Sequence, residues 1–262
     1  MKLHESHRDA RESVVFLHGG NVAGWMWGEQ LPAFSRVHTL VPDLPGFGES
    51  HAEEWTSVAD AADRVAGMIA DRAHDGRAHI VGLSLGSSVA LALAARHPPA
   101  VTSLFLASPT VTPVPSGQRL AGSLMIRAWN HRWFWEGLAR SYRLPADSRD
   151  LFVDTGLGIR QETARLILDE VGGGIPGEML AAVRAPTLAV AGERDAAFVR
   201  SHSLRRIAES IPGARTAIAP GMHHQWNIEN VDLFNTAALA WIERREVSDT
   251  LAAGPTGSIR TR

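Results

Sequence analysis

One serine lies in a pattern that is typical of a catalytic nucleophile. Ser84 is the centre of the sequence Gly-Leu-Ser-Leu-Gly at 82–86, between an apolar run that ends at Val81 and a stretch rich in alanine and leucine. A G-x-S-x-G pattern between a strand and a helix makes a sharp turn that exposes the serine hydroxyl. A loop of small residues before a helix would give the same five letters, so the interpretation depends on partners elsewhere in the chain.

Partners of the required chemical types follow later in the sequence. A serine hydroxyl needs a base, and histidine supplies one when a carboxylate fixes its tautomer. Asp195 comes after the apolar run 187–191, and His223 and His224 come after the run 214–219. Serine, aspartate and histidine in this order are the order given for hydrolases with this turn.

Strand-like and helix-like stretches alternate along most of the chain. Runs suited to buried strands occur at 14–17, 37–41, 78–82, 101–107, 187–191 and 214–219. This rhythm predicts an α/β fold with a doubly wound, mostly parallel sheet that helices cover on both faces. Because ligands bind at the carboxyl ends of such strands, the loops with His18, Ser84, Asp195 and His224 should meet at one edge of the sheet.

The rhythm breaks between residues 109 and 183, where no strand-like run occurs and helical patterns are expected at 119–142 and 160–171. The end of the chain is rich in Ser, Thr, Gly, Pro and Arg, a composition typical of a mobile terminus. We therefore predict an α/β core of residues 1–108 and 184–246, a helical cap inserted at 109–183, and a disordered tail at 247–262.

The composition argues against several classes of function. A net charge of −2 among 262 residues gives no electrostatic reason to bind nucleic acid or an anionic membrane. No cysteine is present, and the twelve histidines show no metal-binding spacing. The first twelve residues lack the apolar core of a signal peptide, and no apolar run approaches a membrane span. We expect a cytoplasmic protein that acts on a small molecule, with no metal, cofactor, nucleic acid partner or membrane span.

On these motifs the chain resembles the α/β-hydrolase superfamily, in its capped, esterase-like branch. The matching stretches are Phe16–Gly20, Asp43–Ser50, Gly82–Gly86, Gly192–Asp195 and His224–Phe234. The resemblance implies a sheet of about eight strands. Because the first clear strand begins only at residue 14, we expect the opening antiparallel strand of the family to be shortened or missing.

The resemblance also assigns roles to the three catalytic candidates. Ser84 is the expected nucleophile and Asp195 the acid that orients the histidine, since the alternative acid position of the family contains no carboxylate here. In the family the catalytic histidine lies five residues before a glutamate. His224 stands at that distance from Glu229, so we predict that His224, rather than His223, is the base.

A tetrahedral intermediate on Ser84 would need hydrogen-bond donors for its oxyanion. We expect the backbone N–H groups of Gly20 and Leu85 to form this oxyanion hole, with His18 as a structural brace of the first loop. The candidate substrate-binding residues are Asn21, Trp129, Trp133, Trp135 and His223. The aromatic members of this set could alternatively form only the core of the cap.

These inferences predict a cofactor-free serine hydrolase that cleaves a carboxylic ester or a related acyl compound through an acyl-enzyme on Ser84. Serine at the turn argues against the dehalogenase and epoxide-hydrolase branches, which use aspartate there. The same residues also serve thioesterases, lactonases and carbon–carbon bond hydrolases, which stay open. The alternative from another class is a protein that only binds a small ligand on this scaffold.

Overall fold

The structure is a computed structural model that describes residues 1–142, 144 and 146–256, with only the backbone described at residue 147. Eight strands form one sheet in this part of the chain. The strands are β1 (Leu3–Ser6), β2 (Ser13–Leu17), β3 (His38–Pro42), β4 (Ala78–Leu83), β5 (Val101–Ala107), β6 (Thr187–Gly192), β7 (Arg215–Ala219) and β8 (Ala252–Ala253). Their order is β1-β3-β2-β4-β5-β6-β7-β8. The strands from β3 to β7 in this order pair in parallel, and the edge strands β1 and β8 are antiparallel. The predicted mostly parallel α/β fold is confirmed.

Most of the inner strands are fully buried because helices cover both faces of the sheet. Every residue of β2, β3, β4 and β6 is buried. A parallel sheet between two layers of helices requires such continuous apolar runs, whereas a sheet with one wet face would alternate. This rigid centre fixes the carboxyl ends of β2, β4, β5 and β6, from which the candidate site is built.

The opening antiparallel strand is present as the short strand β1, four residues that pair with β3, in line with the expectation that it is shortened or missing. The opposite edge of the sheet differs from the sequence-based expectation. The predicted disordered tail begins too early, because Ala252–Ala253 pair with β7 and Leu251 is buried. Short edge strands carry too few residues for a readable pattern, and pairing with the sheet stabilises them. Residues 257–262 of the predicted tail lie outside the described residues.

Ten α-helices surround the sheet in the described residues. They are α1 (Val58–Arg72), α2 (Leu85–Arg96), α3 (Ser116–Met125), α4 (Arg132–Ser141), α5 (Ala146–Gly158), α6 (Gln161–Gly172), α7 (Gly177–Ala182), α8 (Leu204–Ser210), α9 (Trp226–Glu229) and α10 (Val231–Arg244). Ser57 caps α1, with its hydroxyl accepting from the Asp60 N–H at 3.0 Å. None of these helices is both long and apolar enough to cross a bilayer, within the residues searched.

Residues 109–183 between β5 and β6, which we call the helical segment, contain α3 to α7 and no strand among the residues described. Helix α5 was not predicted from the sequence. Between β2 and β3 the chain forms two 3-10 turns, Gly24–Trp27 and Leu31–Phe34, rather than one continuous α-helix. Pro32, near the start of the second turn, cannot donate the hydrogen bond that a continuous α-helix would need.

A buried histidine in β4 makes the fold sensitive to acid. The His79 side chain lies 2.8 Å from the Ser103 hydroxyl, and burial, with the charges of Arg245 and Arg77, lowers the pKa of His79 to about 4. A lowered pKa means that the unfolded chain binds a proton more readily. The stabilisation is therefore complete above about pH 6.5 and is lost as the pH falls towards 4.

We expect His79→Gln, which cannot titrate, to lose part of this acid sensitivity. For wild type, the contribution of His79 to the fall in unfolding free energy is at most about 3 kcal/mol across this window. Urea unfolding of both proteins at pH 7.5 and 4.5 measures the difference. Equal acid dependence in the two proteins would contradict this assignment.

Candidate active site

The backbone at Ser84 is strained in the way that the sequence pattern predicts. Ser84 joins β4 to α2 with φ 52° and ψ −110°, outside the common regions for a residue with a side chain. Its N–H donates to the Ala107 carbonyl at 2.9 Å, which holds the turn against β5. A Cβ at Gly86 would overlap the carbonyl oxygen of Leu17 at the end of β2. Helix α2 can therefore approach β2 this closely only because residue 86 is glycine.

His224 and Asp195 form a hydrogen-bonded pair at the ends of β7 and β6. Nδ1 of His224 lies 3.0 Å from both carboxylate oxygens of Asp195. The Asp195 carboxylate is almost fully buried and also accepts the Ala196 N–H at 2.7 Å. A carboxylate facing Nδ1 places the imidazole proton on that nitrogen. Nε2 is then the nitrogen that can accept a proton, and His224 lines the same cavity as Ser84.

His223 has a different partner. Its Nδ1 lies 2.8 Å from one carboxylate oxygen of Glu229, and its backbone N–H donates to the other oxygen at 2.7 Å. His223 is absent from the described lining of the Ser84 cavity and borders a second cavity of about 510 Å³, which shares Tyr142, His224 and Gln225 with the first. Its predicted role in binding substrate stays a prediction. Adjacent residues of one loop point to two different carboxylates.

Ser108 is a supporting residue that sequence reasoning missed. It follows β5, is fully buried and has φ 47°. Its hydroxyl donates to the backbone carbonyl of His224 at 2.9 Å, which fixes the loop that carries this histidine. Its place after β5, the strand next to the turn at Ser84, was the available signal, but a serine there does not match the carboxylate expected at the alternative acid position.

The two predicted oxyanion donors lie on the same cavity. Leu85 is the first residue of α2, where a backbone N–H has no acceptor within its own helix. Gly20 follows β2, and a Cβ built there would meet no atom within 4 Å, so its surroundings are open to a ligand. Both residues line the cavity with Ser84. An acyl oxygen between them would meet the partial positive charge of the helix N-terminus.

His18 braces the loop that contains Gly20. Its Nδ1 lies 2.8 Å from the Gly19 carbonyl oxygen and its Nε2 accepts the Leu44 N–H at 3.0 Å. These two contacts require a neutral imidazole that is protonated on Nδ1. Complete burial lowers the pKa of His18 and favours this neutral form. His18 thus holds two backbone segments together. Both of its ring nitrogens are engaged in these contacts, so neither is free to act as a base for Ser84.

The cavity above Ser84 has a volume of about 300 Å³ and a mostly apolar wall. The helical segment supplies most of this wall with Met125, Ile126, Trp129, Ile159, Ala164, Ile167, Leu168 and Val171. None of the described residues that line it is Asp, Glu, Lys or Arg. A charged group of a ligand would therefore lose water in this cavity without gaining an ionic partner.

The aromatic candidates divide between cavity, surface and core. Of the predicted candidates, Trp129 and Asn21 line the cavity. Tyr142, which was not among the candidates, lines it as well. Trp133 does not, because its side chain is 65% exposed on the outer surface of α4. Trp135 is fully buried away from the cavity, where its Nε1 donates to the Trp129 carbonyl at 2.6 Å. Neither Trp133 nor Trp135 is among the described residues that line this cavity.

These positions predict opposite outcomes for two neighbouring tryptophans. Trp135→Ala should lower the free energy of unfolding by about 3–5 kcal/mol, because it removes a large ring from the core of the helical segment. Trp133→Ala should change stability by less than about 0.5 kcal/mol, as expected for an exposed position. Thermal and urea unfolding of the two variants measure this difference. A larger loss in Trp133→Ala would contradict the assignment.

Among the residues described, no group of three or more His, Asp or Glu side chains is placed to hold a metal ion. Ser84, the paired His224 and the backbone of Gly20 and Leu85 line one cavity, and residues of these types in one place are what acyl transfer requires.

Comparison with known proteins identifies the family. A model of the "Alpha/beta hydrolase family" matches residues 14–237, and the chain belongs to this hydrolase family. An AB hydrolase superfamily protein of Gibberella zeae is 30% identical over 257 residues, 94% of this chain and 86% of that protein. A pimeloyl-[acyl-carrier protein] methyl ester esterase of Neisseria meningitidis is 38% identical over 103 residues, 39% of this chain and 38% of that protein.

The same fold occurs in the enol-lactonase from Burkholderia xenovorans LB400. The two structures superpose with a TM-score of 0.77 over 92% of this chain and 96% of the lactonase chain. Sequence identity is 20%, so this similarity concerns the fold alone.

Proposed function

We propose that this protein is a serine hydrolase that cleaves carboxylic esters with an uncharged, apolar acyl group. The observation that carries the proposal is one cavity lined by Ser84, by the Asp195-paired His224, and by Gly20 and Leu85. Membership of a hydrolase family supports the general class of reaction. The absence of charged residues among the described lining supports the substrate class.

Acylation begins when Nε2 of His224 takes the proton of the Ser84 hydroxyl while Oγ attacks the ester carbonyl carbon. The carbonyl oxygen becomes an oxyanion, and the N–H groups of Gly20 and Leu85 donate to it. Asp195 stays ionised and stabilises the imidazolium through Nδ1. His224 then returns the proton to the leaving oxygen as the carbon–oxygen bond breaks, so the alcohol departs and the acyl group remains on Ser84.

Deacylation repeats the sequence with water as the nucleophile. His224 takes a proton from water, the hydroxide attacks the acyl carbon, and the second oxyanion occupies the same donors. The proton passes to Ser84 Oγ as the acid is released. Both steps therefore require an Nε2 of His224 that is free to accept a proton.

Burst kinetics test this proposal directly. A chromogenic p-nitrophenyl hexanoate should release about one equivalent of p-nitrophenol per enzyme before the steady state, provided that deacylation is slower than acylation. A binding protein on the same scaffold would release none above the buffer rate. Absence of both burst and turnover, across acetate, hexanoate and decanoate esters, would refute the proposed function.

The uncharged cavity predicts strong discrimination against an acyl carboxylate. We expect kcat/KM for methyl hexanoate to exceed that for monomethyl adipate, which has the same chain length and a terminal carboxylate, by at least about 100-fold. The difference arises because the carboxylate loses its water without finding a cation. A pH-stat assay measures both rates.

A pair of variants on α3 provides the control. Met125→Arg places a guanidinium on the cavity wall and should shift the ratio towards adipate by at least about tenfold. Leu120→Arg adds the same charge to the same helix at a position outside the cavity lining, and should leave the ratio unchanged. Equal shifts in both variants would show that overall charge, rather than the cavity, sets the preference.

A further inference from the structure

The loop that carries the predicted oxyanion donor Gly20 is held at its two ends by the sheet core. At its start, His18 joins the Gly19 carbonyl to the Leu44 N–H, as described above. At its end, the Gly24 N–H donates to the buried Asp43 carboxylate at 2.7 Å. Between these anchors the chain passes through Asn21, whose φ of 70° is unusual for a residue with a side chain.

The middle of this loop and the turn that follows it contact the helical segment instead. The indole Nε1 of Trp25 donates to the Thr155 hydroxyl on α5 at 2.9 Å, across 130 residues of sequence. The side chain of Asn21 lies near the hydroxyl of Tyr142, just after α4, and both residues line the cavity above Ser84. Helices α4 and α5 pack against each other, so both contacts come from one unit.

We propose that Thr155 and Tyr142 are positioning residues that lock the oxyanion loop, so that the donor at Gly20 is correctly aimed only when α4 and α5 are docked on the core. This inference rests on the proposed function, since it concerns the oxyanion of that reaction. Oxyanion donors act only when they are fixed before charge develops. A loop held solely at its ends would leave Gly20 free to shift, and a displacement of about 1 Å can cost about 100-fold in rate.

Thr155 provides the cleaner test because it does not line the cavity and cannot touch substrate there. Thr155→Val keeps the shape of the side chain and removes the acceptor for Trp25. Thr155→Ser keeps a hydroxyl acceptor and is the matched rescue variant. Tyr142→Phe keeps the ring in the cavity wall and removes only the hydroxyl that meets Asn21.

We expect Thr155→Val and Tyr142→Phe each to lower kcat for a hexanoate ester by about 10- to 100-fold, with KM changed less than about threefold. Thr155→Ser should stay within about threefold of wild type in both constants. Affinity for an alkyl boronic acid, which forms a tetrahedral adduct with the serine, should fall with kcat. Affinity for the unreactive hexanamide should not change. Trp133→Phe, on the exposed surface of α4, is the control for a substitution in the helical segment.

Two results would overturn this inference alone. The first is that Thr155→Val and Tyr142→Phe both keep the kcat and the boronate affinity of the wild-type protein. The other is a loss of boronate and hexanamide affinity by the same factor, which would indicate general damage to the cavity. A wild-type protein that neither hydrolyses the ester nor binds the boronate would instead refute the proposed function, and the inference with it.

Discussion

Ser84→Ala is expected to reduce ester turnover by about 10⁴- to 10⁶-fold while the fold is retained, a loss comparable to that of the serine in subtilisin. The hydroxyl is the proposed attacking group, and no other serine or threonine is among the described residues that line the cavity. Alanine has a Cβ like serine, so the strained turn at φ 52° needs no rearrangement. Steady-state assays with p-nitrophenyl hexanoate and circular dichroism measure activity and fold together.

Ser88→Ala is the matched control for this result. Ser88 lies one turn further along α2, and its buried hydroxyl finds no hydrogen-bond partner in the described part of the chain. Removal of an unpaired hydroxyl should leave turnover within about threefold of wild type and should not destabilise the fold. Similar losses in both variants would mean that damage to α2, rather than loss of the nucleophile, explains Ser84→Ala.

The acylation rates of the two variants His224→Ala and His223→Ala are expected to differ by several orders of magnitude. His224→Ala should abolish acylation, since it removes the proposed base, which pairs with Asp195 and lines the cavity with Ser84. His223→Ala breaks only the contact with Glu229 and should retain most of the acylation rate. Asp195→Asn should cost up to about 10⁴-fold, by analogy with the serine proteases, because it favours the wrong imidazole tautomer.

Pre-steady-state release of p-nitrophenol from the two histidine variants measures this difference without interference from deacylation. A normal burst in His224→Ala together with none in His223→Ala would move the base to His223. The distance in sequence to Glu229 would then have pointed to the wrong histidine.

The nucleophile turn could be predicted from sequence because its physical requirements are local. Five consecutive residues show the two glycines around Ser84, and the residues on either side show the change from strand to helix. In the structure, Gly86 lies against the Leu17 carbonyl. The mostly parallel character of the sheet followed from the apolar runs. Topology then brought Asp195 and His224 to the same edge of the sheet, although each was identified only by its place after a strand.

The walls of the cavity could not be predicted in this way. Trp133 and Trp135 stand two positions apart, which on a helix places them on nearly opposite faces, yet neither lines the cavity. Composition marks the segment as aromatic but does not reveal which face of α4 meets the core. The contact between Trp25 and Thr155 joins residues 130 positions apart, and no local pattern encodes it.

The most direct test of the account is the mass of the protein after reaction with a fluorophosphonate. This reagent forms a stable bond with an activated serine and mimics the tetrahedral intermediate. We expect one adduct per wild-type chain, located by peptide mapping at Ser84, and no adduct in Ser84→Ala or His224→Ala. An adduct on another serine, or unchanged labelling of Ser84→Ala, would contradict the assignment of Ser84 as the nucleophile.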